Sequence, residues 1–272
     1  MTNRTLTRTP DQPAPIATDQ PAPIATDPPA GAASTPRPSD RHDETRSIRG
    51  VGFTAGVALL VLAALSAVAV LVVVDGLVTR GDAAKTTTDI RASAGMFRLA
   101  VAGLYVVVVL DIVAAWALFR FFAPVDTWLS RLAAWLRAAF AVVFLVAISQ
   151  LAAVPGMLND AGYQDAFGQQ QLQAQVMLNL EAFDHTWMAA LLLFGAHLAL
   201  LGYLAYRSGY VPRLIGVLLV VSGAGYAFDT VSSVLSADPM VISTFTFLGE
   251  FLLAVWLVLR SGRVQPGAGH EL

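Results

Sequence analysis

From residue 50 onward the chain repeats one pattern, a long run of apolar residues followed by a short polar break. Six runs emerge, over residues 50–74, 97–122, 132–154, 184–206, 213–235 and 240–259. Each approaches the roughly 20 residues that carry an α-helix across about 30 Å of hydrocarbon. The pattern predicts an all-α, polytopic membrane protein with six transmembrane helices. The breaks are as informative as the runs. A polar loop occupies 75–91, and Pro124 and Asp126 mark a tight connection between the second and third runs. Pro155-Gly156 is expected to terminate the third run. The turn from Tyr206 to Arg213 is too polar and too broken by Gly209 and Pro212 to continue either flanking helix. Residues 157–183 hold no Lys or Arg but a glutamine cluster, and Leu172, Val176, Leu180 and Phe183 recur at helical steps. That segment is expected to lie on the surface or to extend the fourth span outward. Gly52 and Gly56 form a GxxxG pair suited to close helix approach. Trp128 and Trp135, seven apart, share a face suited to interfacial anchoring.

Residues 1–45 follow different rules. The octapeptide DQPAPIAT occurs twice in tandem, from Asp11 and from Asp19, in a Pro/Ala-rich stretch with few bulky apolar side chains. Such a sequence cannot offset its ordering entropy, so a disordered tail is expected, with the transmembrane domain over 46–263 and a short flexible tail over 264–272. No secretory signal peptide is expected, since the first apolar run starts late and is too long for one.

Composition sharpens this picture. Of 272 residues, 56% are hydrophobic and 13% charged, about half the charge of a soluble domain; the mean hydropathy is +0.63. With no cysteine, disulfides and thiolate chemistry are excluded. A net charge of -2 without a basic, aromatic-interleaved surface points away from nucleic acid. Lys85 is the lone lysine among 17 basic residues, a usage that fits a GC-rich bacterial genome. With six spans, only Arg80, Lys85, Arg91 and Arg98 fall on the side opposite the termini. The excess on the other side places both termini in the cytoplasm of a bacterial cytoplasmic membrane.

One ordered set of residues carries a family resemblance: Phe194-Gly195-Ala196-His197-Leu198, then GYLAYRSGYVPRLIGVLL over 202–219, then Gly223-Ala224-Gly225-Tyr226 and Asp229. It resembles the bacterial integral-membrane family known as domain of unknown function 4386. The likeness is strongest over 183–230. It extends toward the first span, because the family also carries an arginine at the head of its third span, where Arg137 stands here. The resemblance implies a six-helix inner-membrane protein and no established activity, so no catalytic residue is carried over.

Ionisable groups within apolar spans are costly and mark candidate sites. Asp111 and Arg137 each lie thirteen residues from Pro124, at matching depth on antiparallel helices, and read as a structural ion pair or a gate. His197 and Glu250 both fall near the midplane and form a candidate polar site, as a proton relay or as a hydrogen bond joining two helices. Gln150, Asp184, His185 and Asp229 sit toward the opposite ends of their spans. They line a candidate outer mouth, hold a divalent cation, or are simply solvated. No metal-binding, nucleotide-binding or nucleophile motif is present, and no metal or cofactor is expected. The lipid bilayer is the one partner implied. Three functions fit: a small-molecule or proton-linked transporter or ligand-binding protein, a structural or regulatory membrane partner, and an intramembrane lipid-modifying enzyme.

Overall fold

The computed structural model describes residues 38–235, 242 and 248–263. The tandem repeat, most of the expected tail, the C-terminal tail and most of 236–247 lie outside the described residues. Those described form helices joined by short connections, with no strand among them. The first, α1 (Pro38–Ser66), starts ahead of the apolar run. Its sequence opens on a proline at the first helical position, which favours a helix start. It continues as an eight-residue π-helix, Ala67–Val74, and ends in a short α-turn, Asp75–Leu77. The π-stretch is rich in valine, whose β-branches crowd the tighter α-turn.

The expected loop over 75–91 contains a helix of its own. Asp82 accepts the amide of Lys85 and so caps α2 (Ala83–Ala92). Then follow α3 (Ala94–Phe122), α4 (Thr127–Asn159), α5 (Ala161–Arg207), α6 (Arg213–Leu235) and α7 (Leu248–Arg260). Five helices are long and apolar enough to span a bilayer, those over Arg49–Leu77, Ala94–Phe122, Thr127–Asn159, Ala161–Arg207 and Arg213–Leu235. The protein is therefore a multi-pass membrane protein. The expected sixth span corresponds to α7, of which only the final thirteen residues and Ile242 are described.

One boundary differs from expectation, and one open alternative is decided. Pro155 does not end the third span, because α4 runs through it to Asn159. The proline forfeits one helical hydrogen bond, but Val154 and Leu158 stay buried on either side of it. Asn159 Nδ2 also donates to the Pro155 carbonyl at 2.8 Å. The glutamine-rich segment, for its part, extends the fourth span outward. A break at Gly168 (φ 68°) separates a first short turn of α5 from residues 169–207, which rise about 58 Å at 1.5 Å per residue. Since hydrocarbon accounts for about 30 Å of that, α5 projects well beyond the bilayer. There Leu172, Val176 and Leu180 are buried, where α5 packs on α4 and α2.

Among the described residues six helices close a ring in chain order, α1 on α3, α3 on α4, α4 on α5, α5 on α6, α6 on α7 and α7 back on α1. Phe97, Leu104, Leu118, Ile148, Leu151, Leu198 and Leu253 fill its interior. Large apolar side chains such as Leu71, Val109, Val142 and Leu192 cover the outside, as lipid-facing surfaces require. Trp128 and Trp135 are 68% and 70% exposed on that outer surface. The turn between α5 and α6 is fixed by three devices. Gly209 takes φ 73°, Ser208 Oγ accepts the Val211 amide at 3.1 Å, and Tyr210 OH donates to the Phe121 carbonyl at 3.0 Å. Burial pushes the Tyr210 phenol above its ordinary range, keeping it a donor.

Glycines set the tightest contacts. Gly195 faces Gly223, and Gly202 faces Gly216, across the antiparallel α5–α6 pair. A Cβ at Gly195 would lie 2.6 Å from the Gly223 carbonyl oxygen, and one at Gly202 the same distance from that of Gly216. Gly52 and Gly56 likewise face Phe121 and the backbone of α7, while Gly249 lies against α6. Gly103, by contrast, has open space where its Cβ would be. Gly195→Ala is expected to cost about 1–3 kcal/mol by forcing two backbones apart. Gly103→Ala is expected to be neutral or to stabilise by about 0.5–1 kcal/mol through lost chain entropy. Unfolding midpoints of the two variants in the same detergent give the comparison, and equal shifts would remove the close-packing account.

Candidate functional site: a buried charge cluster at mid-span

Four helices deliver one ionisable side chain each to the same depth. Asp111 lies eleven residues before the end of α3, and Arg137 ten after the start of α4. His197 lies ten before the end of α5, and Glu250 ten before the end of α7. All four helix ends are on the same side of the ring, so the groups lie about 15 Å from it, near the middle of the hydrocarbon.

Arg137 is fully buried and joins the other three. Its Nη1 donates to Glu250 Oε1 at 2.6 Å and lies 3.3 Å from His197 Nε2. Its Nη2 lies 2.7 Å from Asp111 Oδ1. That last contact is close but off the hydrogen-bonding angle, since neither atom has a directed partner, and neither does Arg137 Nε. We therefore regard the Asp111 contact as Coulombic and the Glu250 contact as the stronger directed bond. The Phe194 ring covers the guanidinium, 5.4 Å from Cζ.

Hydrogen bonding determines the state of His197. Its Nδ1 lies 2.8 Å from the Ala133 carbonyl oxygen, one turn before Arg137 on α4, so Nδ1 carries the proton and donates. Arginine only donates, so Nε2 accepts from Arg137. The imidazole is a neutral spacer that orients Arg137. The cluster thus sets one guanidinium and a neutral imidazole against two carboxylates. Of the four, Glu250 alone is appreciably open, its side chain being 19% exposed against 2% for Asp111.

The sequence paired Asp111 with Arg137 and, separately, His197 with Glu250; the structure gathers all four around Arg137, which stands between His197 and Glu250. The outer residues are not gathered in this way. Asp184 and His185 are exposed on α5 and Gln150 is half-buried on α4. Asp229 is buried on α6, where its Oδ1 accepts the Ile242 amide at 2.8 Å. Among the described residues no three His, Asp or Glu side chains are placed to hold a metal ion. Asp184 instead lines a cavity with Asp75 and Arg80, two residues sequence reasoning did not connect to it. The available signal was their position at the same end of the bundle, Asp75 closing the first helix.

The sequence profile described as Domain of unknown function (DUF4386) matches residues 54–261. A protein from Archaeoglobus fulgidus, named only as an uncharacterized protein, is 37% identical over 87 residues. That stretch is 32% of this chain and 53% of the relative, so the match spans about half the relative's length. No solved structure matches the chain. The profile match takes in the apolar helices from α1 to α7 and all four members of the buried cluster, and the chain belongs to the DUF4386 family.

Proposed function

We propose that the protein is a proton-linked transporter or ligand-binding protein of the cytoplasmic membrane, with six spans and both termini cytoplasmic. Its working site is the cluster of Asp111, Arg137, His197 and Glu250. The observation that carries this reading is the charge count, two carboxylates against one guanidinium with the imidazole committed as a neutral acceptor. An uncompensated charge in a low-dielectric interior costs several kcal/mol, so the cluster is one positive charge short of balance. One added positive charge, a proton or a ligand's, completes it. The sixth span is supported by α7 closing the ring between α1 and α6, and the orientation by the basic residues at the shared end of the four helices.

A second reading, a structural or regulatory membrane partner, is favoured by the same geometry in another respect. Arg137 ties α4 to three other helices, and such a clasp fixes packing without any exchange. The two readings differ in whether the cluster takes up a proton or a ligand.

Arg137→Leu is expected to strand both carboxylates and cost about 3–5 kcal/mol, with most of the loss recovered when Asp111→Asn and Glu250→Gln are added. Unfolding midpoints in detergent measure this, and failure of the triple variant to recover would show that the arginine matters by its shape rather than its charge. In infrared difference spectra, a protonated-carboxyl band is expected, lost when Asp111→Asn and Glu250→Gln are combined and kept in His197→Ala. A folded protein with no such band would favour the structural partner.

A further inference from the structure

A cavity of about 230 Å³ opens at the other end of the bundle, where the π-helical stretch of the first span ends beside α5. Val74, Leu180 and Phe183, each at most 5% exposed, form the apolar floor. Three charged residues stand at the rim, Asp75 and Arg80 from the chain leaving the first span, and Asp184 from α5. Among the described residues none of these three side chains makes an ion pair or a hydrogen bond. Arg80 and Asp75 both lie within electrostatic reach of Asp184, so the two signs of charge converge at one apolar crevice without a closed ion pair.

The segment bearing Arg80 is held firmly. Thr86 Oγ1, fully buried on α2, accepts the Thr79 amide at 2.9 Å and donates to the Thr79 carbonyl at 3.1 Å. Gly81, at φ 80°, then turns the chain into the Asp82 cap. Arg80 is thus presented from a braced loop, while Asp184 is presented from a continuous helix and Asp75 from the end of another. π-Helical turns recur at functional sites, and this one ends at the residue before Asp75.

We propose that this crevice binds a small organic zwitterion, one carrying an ammonium and a carboxylate on an apolar body. The ammonium lies between Asp75 and Asp184, the carboxylate meets Arg80, and the apolar body rests on Val74, Leu180 and Phe183. A simple cation is placed beside Arg80 and a simple anion beside two carboxylates, whereas a ligand of both signs sets an opposite charge against each of the three groups. The site is separate from the buried cluster, since Asp184 and His197 are thirteen residues, about 20 Å, apart along α5. It does not depend on the proton-linked reading.

Equilibrium dialysis of the full chain in detergent tests this with leucine as the zwitterion, and with isopentylamine and isovalerate as probes carrying one charge on a similar body. Leucine is expected to bind at least about tenfold more tightly than either single-charge probe, a difference of about 1.4 kcal/mol. Arg80→Gln and Asp184→Asn, both at exposed positions and compatible with folding, are each expected to weaken leucine about tenfold or more. The proposal is overturned if leucine fails to bind or if isopentylamine binds as well as leucine. It is equally overturned if leucine binding survives Arg80→Gln, Asp75→Asn and Asp184→Asn combined. Melting temperatures of the variants confirm that any lost binding is not lost fold.

Discussion

A guanidinium cannot lose its charge, and Arg137 holds one where no water is available to solvate it. The interior of this helical ring depends on how that charge is met. Three other helices each contribute one group at the same height, and their relative heights are fixed as a consequence. If α7 slid by a turn, Glu250 would move about 5 Å along the axis and the 2.6 Å contact with Arg137 would be lost. Apolar packing alone imposes no such penalty within a bilayer, because lipid tails solvate a leucine as well as another leucine does. Charge supplies the registration that hydrophobicity cannot.

Close backbone approach is the complementary constraint. The glycine pairs between α5 and α6 let two helices meet without intervening side chains, bringing many atoms into dispersion contact. They hold His197 rigidly two residues beyond Gly195, and Gly249 seats the residue before Glu250 against α6. The glycine contacts thus set the distances at which the charged cluster operates. His197 adds a further restraint by spanning from the Ala133 carbonyl to the guanidinium, which limits how Arg137 can reorient.

The two ends of the bundle are chemically unlike. At the end that the cluster helices share, short turns are sealed by Tyr210 and by the Asp126 cap on α4. At the other end α5 rises past the bilayer, α2 packs beside it, and the cavity rimmed by Asp75, Arg80 and Asp184 opens. The asymmetry sets a polar crevice at one face of the bundle and an ionisable cluster at mid-span.

Helix type and the places of the five long apolar spans are local properties, and the sequence by itself determined them. A run of apolar residues long enough to cross a bilayer has few alternatives to a helix, since every backbone group must be paired internally. Depth is equally local, because 1.5 Å per residue counted from a polar end places Asp111, Arg137, His197 and Glu250 at one level. Azimuth is not local. Which face of each helix turns inward depends on the neighbours, so only the tertiary structure could bring His197 and Glu250 to one guanidinium rather than to each other. It alone could also bury Asp229 while leaving Asp184 exposed. Pro155 and Gly168 show the same division from the other side. Both are breakers by local rule, yet the helix around Pro155 survived because Val154 and Leu158 are buried beside it, while Gly168 marks a true break where the flanking residues are exposed.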